Sequence, residues 1–303
     1  MTKQVVVVLG GTGQQGGGVV DALLAAGKFA VRVASRNPAS GASHALAVRG
    51  VDVVKADLLD ANSLRFVLEG AHGAFLVTNF WDPAQMSRET EIAAAAVQAA
   101  RAAGVKHLIW STLPDSERFT GGRLKVAHFT GKSRVDAVVK AAGFARHTFV
   151  MAPMYFQNFL TMMAPGPLPN GGRGWAVPID PAERVIHAGD VTEVGRAVAA
   201  AFASGEQLPD GSYLGVCGGL YSFNDFVATL NAQGHKLQVM HVPPAVYDGF
   251  YPGAHEVREM FQYFAEQTYF GPEQQWYIAA ANALVPGGFT NFADWARAHM
   301  KAV

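Results

Sequence analysis

The residues Val5-Val6-Val7-Val8-Leu9 run straight into Gly10-Gly11-Thr12-Gly13-Gln14-Gln15-Gly16, and this junction constrains the chain more than any other stretch. Five apolar residues in a row, four of them valine, are too few to span a bilayer and fit a strand buried on both faces of a parallel sheet. The glycines then demand an immediate turn. Lacking a Cβ, they let an anion approach the backbone and meet the N–H groups that open a following helix. Val19, Val20, Leu23 and Leu24 recur at helical spacing just beyond, so strand, turn and helix stand in the order a phosphate cradle needs. Two glycine registers coincide, Gly11-x-Gly13-x-x-Gly16 and the wider Gly10-x-x-Gly13-x-x-Gly16. Either alone is a weak signal, and the flanking strand and helix supply its context.

A second strand over 29–34 delivers Ser35-Arg36-Asn37-Pro38 to the same sheet edge. A site selective for NAD carries an acidic residue about 20 positions past the glycine loop, whereas a 2′-phosphate needs a cation. Arg36 is that cation, and no Asp or Glu stands between Asp21 and Asp52 to repel a phosphate. The residues therefore favour NADP(H). Further strands are predicted over 50–56, 74–78, 107–110 and 147–151, with helices between them, including one over 85–103. This alternation selects a doubly wound parallel Rossmann sheet, an α/β fold whose ligands bind beyond the carboxyl ends of the strands. Asp57 and Leu58 follow the third strand and face the adenine end, although Asp57 competes with Asp60 and Ser63 as an ordinary helix cap. Asn79, Phe80 and Trp81 follow the fourth strand, as crevice walls or as core contacts. Ser111 and Thr112 follow the fifth. His128 and Lys132, four residues apart, share one helical face.

The pattern changes after 164, where a Pro/Gly cluster leads to a helix over 190–202, a strand over 213–216 and a mostly helical, aromatic-rich remainder. The predicted organisation is a Rossmann domain over 1–153, to which about 184–218 returns, and a smaller lobe from 154–183 and 219–303. With 24 basic and 24 acidic residues the chain has no net field to attract nucleic acid. A single cysteine forms no internal disulfide, and no stretch approaches a bilayer span or a signal-peptide core; the compartment read from this is the cytoplasm. Histidines in no HxxxH or HExxH pairing give no metal motif, and no G-x-S-x-G elbow points to hydrolysis.

Taken together, Gly10 to Gly16, Ser35-Arg36-Asn37-Pro38, Thr78-Asn79-Phe80-Trp81 and His128-Phe129-x-Gly131-Lys132 resemble the NmrA-like family, atypical relatives of the short-chain dehydrogenases, over almost the whole chain. The resemblance implies NADP(H), with Gly10, Gly11, Thr12, Gly13, Gln14, Gln15 and Gly16 on the pyrophosphate and Arg36, Asn37, Pro38 and Ser40 around the 2′-phosphate. It also puts Thr78, Asn79, Phe80, Lys132, Met154, Tyr155, Phe156 and Gln157 beside the ribose and nicotinamide. Members act as redox sensors or as reductases, so the activity stays open: either a sensor of the NADPH/NADP ratio with a regulatory protein partner, or an NADPH-dependent reductase of a quinone, aldehyde or similar hydrophobic acceptor. A homodimer is equally left open. Ordinary short-chain dehydrogenases place a tyrosine four residues before the lysine; here that position is His128, an acid competent near neutral pH. As a catalytic set the resemblance offers His128, Lys132 and Ser111, with the Lys132 ammonium expected to oppose a second positive charge on the imidazole.

Overall fold

The computed structural model describes residues 3–301, and the predicted domain limits at 1 and 303 lie outside the described residues. Its first half alternates strand and helix up to β5: β1 (Gln4–Leu9), α1 (Gln14–Ala26), β2 (Phe29–Ser35), α2 (Gly41–Val48), β3 (Asp52–Lys55), α3 (Ala61–Leu68), β4 (Gly73–Leu76), α4 (Glu89–Ala102), β5 (His107–Thr112), then α5 (Ser116–Thr120) and α6 (Ala127–Ala141) before β6 (Arg146–Met151). The second half adds β7 (Met154–Tyr155), β8 (Gly166–Pro167), β9 (Arg173–Val177), β10 (Ile186–Gly189), α7 (Val194–Ala203), β11 (Tyr213–Gly215), β12 (Gly219–Tyr221) and α8 (Phe223–Ala232). It closes with β13 (Gln238–His241), α9 (Pro244–Tyr247), α10 (Ala254–Gln267), α11 (Gln274–Leu284) and α12 (Phe292–His299).

Seven strands form one sheet in the order β11-β6-β5-β4-β1-β2-β3, every pair parallel. This is the doubly wound α/β architecture the alternation predicts. The winding reverses between β1 and β4, which opens a crevice at their carboxyl ends. The valine run of β1 serves both sides of the sheet: Val6 and Val8 enter the core under α1 and α7, and Val7 and Leu9 enter the one under α3, α4 and α6. Both faces are covered, so the run is continuously apolar rather than alternating.

α1 meets α7 at a crossing too close for side chains. A Cβ on Gly195 would lie 1.9 Å from the Gly18 carbonyl oxygen, and one on Gly18 would lie 2.3 Å from that of Thr192. This contact sets how far α1 leans over the sheet, and so where its N-terminus points.

Two small sheets, β12-β10-β7 and β13-β9-β8, join α8, α10 and α12 around a third core of aromatic rings, among them Phe156, Phe159, Phe226, Phe261, Phe264, Phe292 and Trp295. β11 joins the central sheet, whereas β10 pairs with β7 and β12 outside it. Among the described residues no helix is long and apolar enough to cross a membrane.

Several boundaries depart from the sequence pattern. Ser111 and Thr112 lie inside β5, paired with Val150 and Met151, instead of following it. β4 stops at Leu76, so Thr78 is already in a loop. The helix predicted over 85–103 opens with a 3₁₀ turn at Met86–Arg88, and the break turns Glu89 inward. Asp190 caps a 3₁₀ turn at Val191–Glu193 that precedes α7. The segment beyond 216, predicted to be mostly helical, also contains β12 and β13, each too short for its periodicity to stand out.

Replacing Gly195 with Ala is expected to destabilise the fold by about 1–3 kcal/mol, because the new methyl meets backbone that cannot rotate away. Gly41→Ala, where a Cβ meets nothing, is the control and is expected to change little. Denaturant midpoints for the two variants check this; equal midpoints would mean that the crossing is not tight.

Candidate functional site

Everything at the β1/β4 switch point is arranged around the start of α1. Gly10 turns the chain at φ +94°, and the Gly13 N–H returns to its carbonyl at 2.9 Å. A Cβ on Gly16 would sit 2.1 Å from that same oxygen, so only glycine lets the helix start this close to the strand end. Gly13 caps α1 without any side-chain hydrogen bond, and the first turn holds no acidic residue. Helix geometry leaves the N–H groups of Gln14, Gln15 and Gly16 without intrahelical acceptors. Thr12, Gly13 and Gln14 are exposed at this opening. With the helix dipole behind them, these donors form a cradle for an anion.

Behind the cradle the Gln15 amide is already engaged. Its Nε2 donates to the Tyr155 hydroxyl and its Oε1 accepts from the Ser111 hydroxyl, both at 2.7 Å. Three residues predicted to touch a ligand thus touch one another, and Ser111 is 1% exposed.

α6 supplies a stripe of ionisable side chains at His128, Lys132 and Asp136, each held by a different part of the chain. Lys132 Nζ donates to the Thr78 carbonyl and to Thr78 Oγ1, both at 3.0 Å, and to Glu89 Oε1 at 2.6 Å. The three N–H groups of its ammonium are therefore matched by three acceptors. Burial pulls Lys132 below the usual lysine pKa, and the Glu89 carboxylate works against that pull. Thr78 Oγ1 in turn donates to Glu89 Oε1 at 2.7 Å.

His128 Nδ1 lies 2.6 Å from Glu256 Oε1 on α10, and the His128 backbone N–H reaches the same oxygen at 3.2 Å. Its ring packs against Phe80, Trp81 and Phe129 with centroids 5.5, 5.2 and 4.9 Å away. Burial works to raise the Glu256 carboxyl, but the bonds from His128 hold it below the usual glutamate range. Lys132 and His128 each face a carboxylate of their own, Glu89 and Glu256.

Asp136, two turns further along, accepts from the Tyr213 hydroxyl at 2.8 Å, and its Oδ1 is buried without a partner. Burial pushes this carboxyl up to about 7 against the pull of its donors and of Lys140.

The remaining predicted residues divide. Arg36 is exposed at the crevice rim and meets Asp82 at 3.5 Å, an acidic neighbour that lies outside the 21–52 interval. Asn37 and Pro38 belong to a tight turn in which Asn37 Oδ1 accepts from the Ala39 N–H. The Ser40 hydroxyl caps α2 by accepting from the Ser43 N–H. Asp57 Oδ1 accepts from the Leu59 N–H beside Leu58, whereas the cap of α3 is Asp60. Asn79 Oδ1 accepts from the Trp81 N–H and holds the loop that carries Phe80. Phe156 and Met154 point into the aromatic lobe core rather than the crevice, and the Gln157 amide bonds Asp190 and the Val191 N–H. Of the aromatics in the last third, Phe261, Tyr263, Phe264, Tyr269 and Phe270 are core, and Phe250 and Tyr251 are exposed.

Glu89, Glu256 and Asp82 are the contacts the sequence did not reveal. A separate open groove of about 830 Å³ includes His187 and Cys217. Burial pushes the imidazole down to about 4 and the thiol up to about 11, so both are neutral at physiological pH.

A family model described as the NmrA-like family matches residues 2–296. The chain is similar to the NmrA-like family domain-containing oxidoreductase himF of Aspergillus japonicus, 33% identical over 160 residues that make up 52% of this chain and 48% of the relative. It is also similar to an NmrA-like family domain-containing protein of Dictyostelium discoideum, 34% identical over 54% of this chain and 55% of that one. The chain thus spans about half the length of the curated relatives it matches. Among solved structures, NmrA, a negative transcriptional regulator in complex with NADP, superposes with a TM-score of 0.80 at 25% identity over 98% of this chain and 95% of that one. The NADPH-dependent quinone oxidoreductase QOR2 of Escherichia coli, complexed with NADPH, gives 0.77 at 18% identity over 97% and 99%, a likeness of fold alone.

The Asp136 carboxyl yields a pH-dependent expectation. Its ordinary value is 3.8 and its folded value about 7, so between these the folded chain holds a proton that the unfolded chain has released. The stabilisation is complete below about pH 4 and is lost as the pH rises through 7. Asp136→Asn cannot ionise and is expected to gain about 2–4 kcal/mol relative to the parent between pH 5 and 8. Urea unfolding of both proteins at the two pH values checks it; parallel behaviour would show that Asp136 does not titrate in this range.

Proposed function

The chain belongs to the NmrA-like family, and from that premise we propose that it binds NADP(H) at the β1/β4 crevice and reports the NADPH/NADP ratio as a redox-responsive regulator. A dinucleotide fits the residues present. The uncapped start of α1 and the space that a Cβ at Gly16 would close suit a pyrophosphate. Arg36, only loosely held by Asp82 at 3.5 Å and largely exposed, suits the 2′-phosphate.

The observation that carries the regulatory part is the state of the polar groups short-chain dehydrogenase chemistry relies on. The Ser111 hydroxyl donates its hydrogen bond to Gln15 Oε1, and the Lys132 ammonium is saturated by Thr78 and Glu89. Neither offers a free donor to a substrate carbonyl. A bound cofactor would instead compete for these contacts, and its effect would pass to the residues that make them. The NmrA structure with NADP, a transcriptional regulator, supports the same direction.

A second reading, an NADPH-dependent reductase of a hydrophobic quinone or aldehyde, is favoured by one feature: the carboxylate of Glu256 on His128, which occupies the position of the tyrosine in ordinary relatives. The oxidoreductase relatives lend it support. When bound, the reduced cofactor would supply hydride; His128 would hold the proton at its ring, and Phe80 and Trp81 would keep water from that side.

Titration with NADPH and NADH is the primary test. Arg36→Ala is expected to reduce the preference for NADPH by about tenfold or more, since a charge-assisted phosphate contact contributes about 1.5–3 kcal/mol. Equal losses for both cofactors would remove the case for the 2′-phosphate. Regulator and reductase are separated by following NADPH absorbance against a panel of quinones and aldehydes. The regulatory reading expects binding without turnover. Turnover abolished in both His128→Ala and Lys132→Ala, with cofactor still bound by the histidine variant, would replace it with the reductase.

A further inference from the structure

We infer that Glu256 is the positioning residue of His128: it keeps the ring's first proton on Nδ1 and so leaves Nε2 as the atom that exchanges a proton with a molecule beside Phe80 and Trp81. This rests on the reductase reading of the same site and states what the Glu256 contact does to the His128 ring.

Three observations converge. First, Glu256 Oε1 receives two donors from one residue, the ring Nδ1 at 2.6 Å and the backbone N–H at 3.2 Å, so the carboxylate is registered against the first turn of α6 and not merely near it. A backbone donor on the same oxygen prevents the carboxylate from sliding along the ring. Second, both partners are withdrawn from water, with 9% of the His128 side chain and 14% of the Glu256 side chain exposed. Glu256 sits in the first turn of α10, where the helix dipole favours negative charge. A carboxylate can only accept, so the neutral ring must carry its proton on Nδ1. Third, Phe80, Trp81 and Phe129 pack against the ring, and Nε2 makes no hydrogen bond among the described residues and is not sealed among the buried atoms that lack a partner.

Other charges on this face are accounted for. Lys132, one turn along α6, is matched by Glu89 and adds no uncompensated positive charge. The protonated ring and Glu256 together carry no net charge. When Nε2–H gives its proton to an oxygen of the bound molecule, the ring returns to the Nδ1–H form, the pair becomes singly negative, and solvent restores the proton. The contact itself fixes the tautomer, because a carboxylate accepts only from a protonated Nδ1.

The test reads the tautomer directly, on the full chain with no cofactor or acceptor added. Histidine labelled with ¹⁵N is followed by long-range proton–nitrogen correlation at a pH where the rings are neutral, and the His128 signals are identified by their loss in His128→Phe. The parent is expected to show Nδ1 protonated and Nε2 bare. Glu256→Gln keeps an accepting oxygen and is expected to retain that pattern. Glu256→Ala and the apolar, similarly sized Glu256→Leu are expected to lose it, with Nε2–H becoming the major form, while circular dichroism stays unchanged. A parent ring protonated on Nε2 overturns the inference at once, even if the variants do not fold. So does a folded Ala or Leu variant that keeps the Nδ1–H pattern. Because no turnover is measured, a chain that proves inactive as a reductase can still show the Glu256-dependent tautomer, and an active chain can lack it.

Discussion

The crevice depends on one approach between backbones, that of the Gly16 Cα to the Gly10 carbonyl, where a single Cβ would stand 2.1 Å from oxygen. That approach lets α1 begin at the carboxyl end of β1 with no spacer and no capping side chain. Because α1 is also pinned along its length by the glycine crossing with α7, its N-terminus cannot tilt to find a partner of its own. Unsatisfied N–H groups are therefore held at the switch point by covalent and packing geometry alone. Among the described residues no side chain completes the helix, which leaves that place open to an anion.

α6 shows how the chain keeps ionisable groups under this site without leaving a bare buried charge. Lys132 is answered from α4, His128 from α10 and Asp136 from β11, the first two by carboxylates and the third by a neutral hydroxyl. The Glu89 carboxylate offsets the burial that pulls Lys132 down, whereas at Asp136 burial outweighs the pull of its donors and of Lys140 and pushes the carboxyl up. One helix thus ties the central sheet to the lobe, through the Glu256 contact to His128 and through Phe129, which packs against Tyr263, Phe264 and Tyr269. The aromatic core of the lobe fixes α10, and α10 fixes Glu256.

The parts of this arrangement legible in the sequence are those written locally. The valine run, the glycine registers and the alternation of strands and helices depend on neighbours a few residues apart, and they yielded the sheet, its direction and the cradle. Ser111 and Gln15 were identified singly, but their mutual bond joins positions 96 residues apart and has no local signature. Glu89, Asp82 and Glu256 meet Lys132, Arg36 and His128 across separations of 43, 46 and 128 residues. A charged residue that opens a helix reads as a solvent-facing one until the fold brings a counter-ion to it. Glu89 was further disguised because a regular helix from 85 would have rotated it; the 3₁₀ turn at Met86–Arg88 alters that phase.

The loop from Thr78 to Glu89 is where these contacts meet. Thr78 and Glu89 hold Lys132, Phe80 and Trp81 pack on His128, and Asp82 reaches Arg36. It begins at the end of β4, so it borders the switch-point crevice, and it carries no regular structure apart from one short turn. A ligand phosphate drawn to Arg36 must displace or share Asp82, and any group that accepts from Lys132 must displace Thr78 or Glu89. Both displacements act on the same dozen residues, which also wall the ring that Glu256 holds. A single segment stands between crevice and lobe, so a ligand that displaced either contact would act directly on the residues that wall His128.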